Sequence, residues 1–350
     1  MQESASQAEN GPVTGKEFQN YQERIVSWNV YVTREIPEAG LERLRSHCDS
    51  VVVHPEDTAP TREEILEVVR GCDGLLCLLS DTIDAALMDA AGDSLKGIAN
   101  YAVGYDNIDV AAATERGLPV SNTPGVLTDT TADLAWALIF AAARRIPDAD
   151  RYMRTGDWSG WGPRQMLGVD ISGKTLGIVG AGRIGSAVAM KSTGFDMQVL
   201  YVDHSDHPEL EEGCGGHRVL LPELLEESDF VSLHVPLTEE TSHMIGEDQI
   251  EKMKSTAVLV NTSRGPVVDE AALARGLQEG RIRAAGLDVY EEEPKVNQLL
   301  MELDNVVLTP HIGSASEETR DKMARMAAQN LIAMLEGQQP ENCVNPEVYD

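Results

Sequence analysis

Three polar residues with complementary chemistry, Arg264, Glu293 and His311, each follow a predicted strand end in the C-terminal half of the chain. Because the carboxyl ends of parallel strands meet at one edge of a sheet, we expect the three side chains to converge. Histidine can protonate the alkoxide that forms when a carbonyl receives a hydride, and a carboxylate stabilises the imidazolium. Arginine can bind a carboxylate through two parallel hydrogen bonds. The three residues therefore predict a site that reduces the carbonyl of a small acid.

A glycine-rich segment, 180–185 (Gly-Ala-Gly-Arg-Ile-Gly), directly follows the apolar strand Leu176–Val179 and opens a helix. In that context Gly180 permits a tight turn, Gly182 lets a pyrophosphate approach the backbone, and Gly185 lets helix and strand pack closely. The helix N-terminus offers free N–H groups to the phosphates. The segment predicts a dinucleotide site, and an αβ turn without a ligand is the alternative.

Asp203 ends the next predicted strand, about 20 residues further along, where an acid can accept hydrogen bonds from both ribose hydroxyls. A carboxylate there repels the 2′-phosphate of NADP, and the following segment, 204–207, contains no arginine that could bind that phosphate. The sequence therefore favours NAD(H). NADP(H) stays open, because high salt would weaken the repulsion.

The elements around these residues alternate short apolar strands with helices, a pattern typical of parallel sheets covered on both faces. One alternation begins at Ile25 and includes a helix over Thr61–Arg70, opened by a capping box of Thr61 and Glu64. A second begins at Thr175. Long helices are predicted near 130–144 and 316–336, and we expect the last one to pack back on the first unit.

We therefore predict two doubly wound α/β domains. A Rossmann nucleotide-binding domain spans 124–310, and a flavodoxin-like substrate domain combines 24–123 with 311–341. Residues 1–23 are predicted to form a disordered tail. The cleft between two such domains is the expected ligand site.

Acidic residues outnumber basic ones by 58 to 28 in this 350-residue chain, which gives a net charge of −30. That charge argues against nucleic acid and anionic membranes as partners. No apolar run reaches the ~18 residues of a membrane span, and the N-terminus lacks a signal-peptide pattern, so a cytoplasmic protein is expected. The charge also favours work at high salt over a merely acidic protein.

The five cysteines form no CxxC pair and no metal-ligand spacing. They are predicted to be reduced and mostly structural, and no metal is expected.

From Ile25 to Glu341 the chain resembles the D-isomer-specific 2-hydroxyacid dehydrogenases. The similarity is carried by the stretches Asn100–Asp109, Gly180–Gly185, Asn261–Gly265, Gly286–Pro294 and Thr309–Ser314. The resemblance implies that Arg264, Glu293 and His311 are catalytic.

The resemblance also implies further roles. Backbone N–H groups of Val103 and Gly104 would hold the substrate carboxylate opposite Arg264. Asp288 would contact the nicotinamide amide, or it would only cap a buried strand end. His234 would line the adenosine side of the cofactor, or its ring would only hydrogen-bond to a neighbouring residue. The other positions implied for the cofactor are Arg183, Ile184, Pro236, Thr262 and Gly313, and Leu79 is implied for the substrate.

Within the family the chain is most similar to glyoxylate/hydroxypyruvate reductases. In that branch a loop corresponding to the one with Trp161 reaches the active site of a partner subunit. This implies a homodimer in which Trp161 limits substrate size, or one in which Trp161 is simply buried in the contact.

Other readings remain open. A 3-phosphoglycerate or D-lactate dehydrogenase would use the same chemistry, although the first domain shows no obvious basic cluster for a phosphorylated substrate. A dinucleotide-sensing corepressor would share the fold without enzymatic turnover.

Overall fold

The computed structural model describes residues 27–350, so the tail predicted for 1–23 lies outside the described residues. The first sheet is fully parallel, with strand order β2-β1-β3-β4-β5. This is the flavodoxin-like order that the sequence predicted. Its strands are β1 (Asn29–Val32), β2 (Ser50–Val53), β3 (Gly74–Cys77), β4 (Gly97–Asn100) and β5 (Val120–Ser121).

Four helices accompany this sheet: α1 (Glu38–Arg45), α2 (Arg62–Val68), α3 (Ala85–Ala91) and α4 (Val110–Glu115). The capping box at α2 is confirmed, since Glu64 N–H donates to Thr61 Oγ1 and Thr61 N–H to Glu64 Oε2. Helices α3 and α4 were not predicted from the sequence. Both are short and rich in alanine, and each begins at an aspartate, Asp84 or Asp109, whose carboxylate accepts a backbone N–H bond.

The second sheet is also fully parallel, with order β12-β11-β10-β9-β6-β7-β8. The order reverses between β6 and β9, which creates the switch point where such sheets bind ligands. The strands are β6 (Thr175–Val179), β7 (Gln198–Val202), β8 (His217–Arg218), β9 (Phe230–Leu233), β10 (Val258–Asn261), β11 (Ala284–Leu287) and β12 (Val306–Leu308).

Helices flank this sheet, and three of its strands, β9, β10 and β11, are buried along their whole length. The helices are α5 (Thr128–Arg144), α6 (Ile146–Thr155), α7 (Arg183–Lys191), α8 (Pro208–Cys214), α9 (Leu221–Glu227), α10 (Glu247–Lys252), α11 (Glu270–Gln278) and α12 (Gln298–Glu302).

The last helix, α13 (Glu317–Leu335), packs on the first sheet rather than the second, as expected. Its Ala324, Ala328 and Leu331 are buried in one cluster with Leu41 and Leu44 of α1. The chain thus returns to the first unit after β12. The domain limits at 123/124 and 310/311 stay predictions.

All five cysteines are free, and three of them, Cys48, Cys72 and Cys77, are buried. Burial raises the pKa of Cys48 to about 11, so this thiol stays protonated and unreactive. Among the helices of residues 27–350, none is long and apolar enough to cross a membrane.

Candidate active site

His311 and Glu293 form a hydrogen-bonded pair, with His311 Nδ1 lying 2.8 Å from Glu293 Oε2. The other carboxylate oxygen of Glu293 accepts the N–H of Tyr290 at 3.0 Å. Burial raises the pKa of Glu293, but the hydrogen bond and charge of His311 outweigh burial, and the net shift is downward. Glu293 is therefore ionised at neutral pH. It can fix the ring of His311 and stabilise its imidazolium form.

Asp288 holds the backbone of the loop that carries His311. Its carboxylate accepts the N–H groups of Ile312 and Gly313, both at 2.8 Å, and the hydroxyl of Thr309 at 2.6 Å. Within this loop His311 has a positive φ of 53°, a conformation that costs energy for a residue with a side chain. Asp288 thus has the contacts of a buried cap. A contact between Asp288 and a nicotinamide stays a prediction.

Arg264 follows β10 and reaches toward the first sheet. Its Nε donates to Asp106 Oδ1 at 2.9 Å, and its Nη1 donates to the carbonyl of Ser263 at 2.8 Å. A β-carbon added at Gly104 would lie 1.6 Å from Arg264 Nη2, so only glycine leaves room for the guanidinium there. The structure therefore places Arg264 against Gly104, and the roles of Arg264, Val103 and Gly104 toward the substrate carboxylate stay predictions. Asp106 was not singled out in the sequence, although it lies inside the Asn100–Asp109 stretch.

A cavity of about 250 Å³ lies between the two sheets and confirms the predicted cleft. Most of the positions predicted for the substrate or the cofactor line it: Leu79, Val103, Gly104, Ile184, His234, Pro236, Thr262, Arg264, Asp288, His311 and Gly313. The remaining predicted positions do not: Gly180, Gly182, Arg183, Gly185, Asp203, Glu293 and Trp161. Helix α13 adds Arg320, a cation that sequence reasoning did not place at the cleft.

The glycine-rich loop has the shape that a pyrophosphate requires. Gly180 has a positive φ of 92°, and a β-carbon added at Gly182 would meet no atom within 4 Å. Helix α7 begins at Arg183 without a side-chain cap, so its first N–H groups are free to bind phosphate oxygens. In the cavity, the buried hydroxyl of Thr262 has no hydrogen-bond partner among the described residues. These features fit a dinucleotide.

Asp203 lies beside this loop, where its Oδ2 accepts the N–H of Ala181 at 2.8 Å. Burial raises the pKa of Asp203, but backbone hydrogen bonds from Ser205, Ala181 and His204 outweigh burial and lower it overall. The carboxylate is therefore ionised and oriented toward the loop.

An arginine from elsewhere in the chain contacts the turn that begins at Asp203. Arg218, on β8, donates to the backbone carbonyls of Asp203 and His204 and to the carboxylate of Asp206, at 3.0, 2.9 and 2.9 Å. Segment 204–207 itself contains no arginine, as the sequence analysis noted. Arg218 was missed because it is distant in sequence and lies on a strand of only two residues, which pairs with β7.

His234 follows β9 at the switch point and lines the cavity. Its Nε2 lies 2.9 Å from Ser232 Oγ. Burial lowers the pKa of His234 to about 3, so the ring is neutral at physiological pH. The ring of His234 therefore has a hydrogen-bond partner within its own segment, which was one of the two alternatives for this residue. A role of His234 toward the adenosine stays a prediction.

Comparison with known proteins decides the family. Residues 136–313 match the family model described as D-isomer specific 2-hydroxyacid dehydrogenase, NAD binding domain. A protein named glyoxylate reductase from Korarchaeum cryptofilum is 56% identical over 321 residues, which cover 91% of this chain and 96% of that protein. The chain belongs to the D-isomer-specific 2-hydroxyacid dehydrogenases. It is therefore an oxidoreductase.

Other members of the family are similar across nearly their whole length. A protein named glyoxylate reductase from Thermococcus litoralis is 52% identical over 323 residues, which cover 91% of this chain and 97% of that protein. The crystal structure of a glyoxylate reductase from Paecilomyes thermophila matches with a TM-score of 0.81 and 35% identity, over 92% of this chain and 99% of that chain. The crystal structure of an NADPH-dependent glyoxylate/hydroxypyruvate reductase from Sinorhizobium meliloti, in complex with NADP and malonate, matches with a TM-score of 0.79 and 34% identity. The match covers 91% of this chain and 96% of that chain.

In this dehydrogenase, Trp161 lies away from the cavity of its own chain, and 84% of it is exposed. Five large apolar side chains on α6 and the loop that follows are exposed, and Trp161 is one of them: Ile146, Met153, Trp158, Trp161 and Leu167.

Proposed function

We propose that this dehydrogenase reduces glyoxylate and hydroxypyruvate to the corresponding D-2-hydroxy acid with a nicotinamide cofactor. The observation that carries the proposal is the arrangement of His311, paired with Glu293, and Arg264, packed against Gly104, around one cavity. The relatives named glyoxylate reductase support the same substrate class.

Each residue has a defined task in the proposed mechanism. Arg264 and the backbone N–H groups of Val103 and Gly104 bind the substrate carboxylate and orient the carbonyl. Because Nδ1 of His311 is engaged by Glu293, Nε2 is the nitrogen left to donate a proton to the carbonyl oxygen. Glu293 stabilises the charged imidazolium before transfer, and Asp288 keeps the loop in place.

The cofactor would be held by the Gly180–Gly185 loop and the N-terminus of α7, with its ribose on Asp203. When bound, it supplies the hydride that the carbonyl carbon accepts. We propose NAD(H) as the preferred form, because an ionised Asp203 repels a 2′-phosphate. NADP(H) use is the alternative that an assay must compare, since one structural relative is NADPH-dependent.

We also propose a homodimer in which the exposed apolar side chains of segment 146–167, Trp161 among them, are covered by the second subunit. Tryptophan and methionine, both exposed in this segment, are enriched at protein interfaces. In the dimer Trp161 would reach the partner's cleft and limit substrate size. A Trp161→Ala variant that accepts longer 2-oxo acids supports this; one that only weakens the dimer assigns Trp161 to the contact alone.

We further propose that the enzyme works in a cytoplasm of high ionic strength. Five free thiols suit a reducing compartment. Acidic residues number 58 against 28 basic ones, so the chain carries a net charge of −30 and its carboxylates repel one another. Salt would screen their repulsion, because the Debye length falls from about 10 Å at 0.1 M to about 3 Å at 1 M. An unfolding temperature that does not rise with KCl would contradict this proposal.

The test of the main proposal is oxidation of NADH and NADPH with glyoxylate, hydroxypyruvate, pyruvate and 3-phosphohydroxypyruvate, at low and multimolar salt. Turnover of the first two with NADH supports the assignment. Preference for pyruvate or the phosphorylated acid would instead indicate a D-lactate or 3-phosphoglycerate type. Cofactor binding without turnover would favour the corepressor-like alternative.

His311→Gln serves as the matched negative variant. We expect it to bind NADH normally and to lose at least about a hundredfold in turnover, the usual contribution of a general acid. Near-normal turnover in that variant would overturn the role of His311.

A further inference from the structure

Arg218 makes three hydrogen bonds to one short turn of the cofactor domain. Nε donates to the carbonyl of Asp203, Nη2 to the carbonyl of His204, and Nη1 to the carboxylate of Asp206. The guanidinium thus binds the turn at both ends and engages all of its nitrogens. The planar guanidinium presents its donors at fixed, separated positions that match these acceptors, whereas the three donors of an ammonium converge on one nitrogen atom.

This arrangement differs from an ordinary surface ion pair. An exposed arginine–carboxylate pair contributes about 0–1 kcal/mol and rarely fixes a backbone. Here two of the three acceptors are main-chain carbonyls, so the contacts define the path of the chain from Asp203 to Asp206. The strand that carries Arg218 pairs with β7, whose end leads directly into Asp203.

The conformation of this turn decides where the carboxylate of Asp203 points. Its Oδ2 accepts the N–H of Ala181 in the glycine-rich loop, and Gly180 N–H in turn donates to the carbonyl of Val202. At the far end of the turn, the N–H of His207 donates to the hydroxyl of the buried Tyr201. Arg218 supplies the link between these two anchored ends.

We propose that Arg218 is a specificity-determining positioning residue for the cofactor. By holding the 203–206 turn, it keeps the Asp203 carboxylate where it binds the ribose hydroxyls of NAD(H) and repels a 2′-phosphate. Its guanidinium is committed to the turn and is not a receptor for that phosphate. The inference rests on the proposed use of NAD(H) and extends it to a residue outside the glycine-rich loop and Asp203.

The test compares NADH and NADPH dissociation constants, by fluorescence titration, for the wild-type enzyme, Arg218→Gln and Arg218→Lys. We expect the NADH constant to rise about tenfold in both variants, the lower end of what a hydrogen bond to a charged group contributes. NADPH binding should change less than about twofold, so the preference for NADH falls about tenfold. Arg218→Lys keeps the positive charge, so weaker NADH binding in this variant would show that the planar geometry of the guanidinium matters and not the charge alone.

The kinetic readout separates positioning from catalysis. With saturating NADH, kcat and the KM for glyoxylate should stay within about twofold of wild type, because Arg218 does not touch the reacting groups. Arg116→Gln is the matched control, since Arg116 also bonds one carboxylate and one carbonyl, of Asp89 and Ala112, far from the cofactor loop. It should leave both dissociation constants unchanged.

Three results would overturn the inference. A selective loss of NADPH binding would make Arg218 a phosphate receptor. Equal losses for both cofactors with a lower unfolding temperature, or failure of both variants to fold, would make its role structural. Unchanged binding in both variants would give it no role. A wild-type enzyme that neither binds NADH nor reduces glyoxylate would instead contradict the proposed function itself.

Discussion

Arg264 and Asp106 come from different sheets, and their side chains meet across the cleft with Nε 2.9 Å from Oδ1. Asp106 engages the Nε edge of the guanidinium, while Nη2 lies against Gly104. The carboxylate therefore orients Arg264 toward the turn at which the substrate carboxylate is proposed to bind. It also links the two walls of the cleft.

We expect Asp106→Ala to raise the KM for glyoxylate roughly tenfold, because one charge-assisted hydrogen bond to Arg264 is lost. The KM for NADH should stay the same, since Asp106 lies on the substrate side. Steady-state kinetics with each substrate varied in turn measures both values. Asp93→Ala, an exposed acid in the same unit, is the control. An unchanged KM for glyoxylate would mean that Arg264 keeps its orientation without Asp106.

Replacing Glu293 should lower the rate of reduction. The pKa of Glu293 is lowered overall by its contact with His311, so the His311 ring has an anionic neighbour. In Glu293→Gln that charge is lost, and the proton-donating form of His311 loses its stabilisation. We expect kcat/KM for glyoxylate to fall roughly tenfold, while the dissociation constant for NADH stays the same. Steady-state kinetics and fluorescence titration measure the two values, and a Glu293→Gln enzyme with wild-type kcat/KM would contradict the pairing.

The features predicted well from the sequence are those set by local pattern. The Gly180–Gly185 loop follows an apolar strand, and Arg264, Glu293 and His311 follow strand ends, so their convergence needs only the rule for parallel sheets. Alternating apolar segments likewise predicted both sheets. The final helix follows the second alternation, yet it packs on the first sheet as expected.

The features that were missed depend on pairing between distant residues. Asp106 and Arg264 meet only because the two sheets face each other, and no periodicity indicates such a contact. Arg218 reaches Asp203 from a strand too short to show a pattern. The hydrogen bonds of Asp288 require knowledge of the loop backbone around His311, whose positive φ is unusual for a residue with a side chain.

His234 should affect acid stability without affecting the catalytic pH profile. Burial lowers its pKa from 6.5 to about 3, so the folded protein keeps it neutral where the unfolded chain takes up a proton. Stability therefore falls as pH drops below about 6.5, and the full loss is reached near pH 3. We expect His234→Gln to lose less unfolding free energy than wild type between pH 7.5 and 5. Urea denaturation at both values measures this, and the exposed His47 provides a control as His47→Gln. A shifted kcat/KM profile in His234→Gln would contradict a permanently neutral ring.

Gly265 is the point at which the Arg264 and Glu293 segments touch. A β-carbon added there would lie 1.9 Å from the carbonyl carbon and oxygen of Tyr290, whose N–H donates to Glu293. Gly265→Ala must push the two segments apart, and a displacement of about 1 Å at reacting groups can cost roughly a hundredfold in rate. We expect a loss of that size in kcat/KM for glyoxylate, together with destabilisation of about 1–3 kcal/mol from overpacking.

Gly194→Ala is the matched control for Gly265→Ala, because a β-carbon at that exposed glycine would meet no atom within 4 Å. It should leave both kcat/KM and the unfolding midpoint near wild type. Circular dichroism establishes that Gly265→Ala is folded before its rates are compared. If the folded variant keeps full kcat/KM, the close contact with Tyr290 does not set the distance between Arg264 and the His311–Glu293 pair, and that distance must be fixed by the strands β10 and β11 alone.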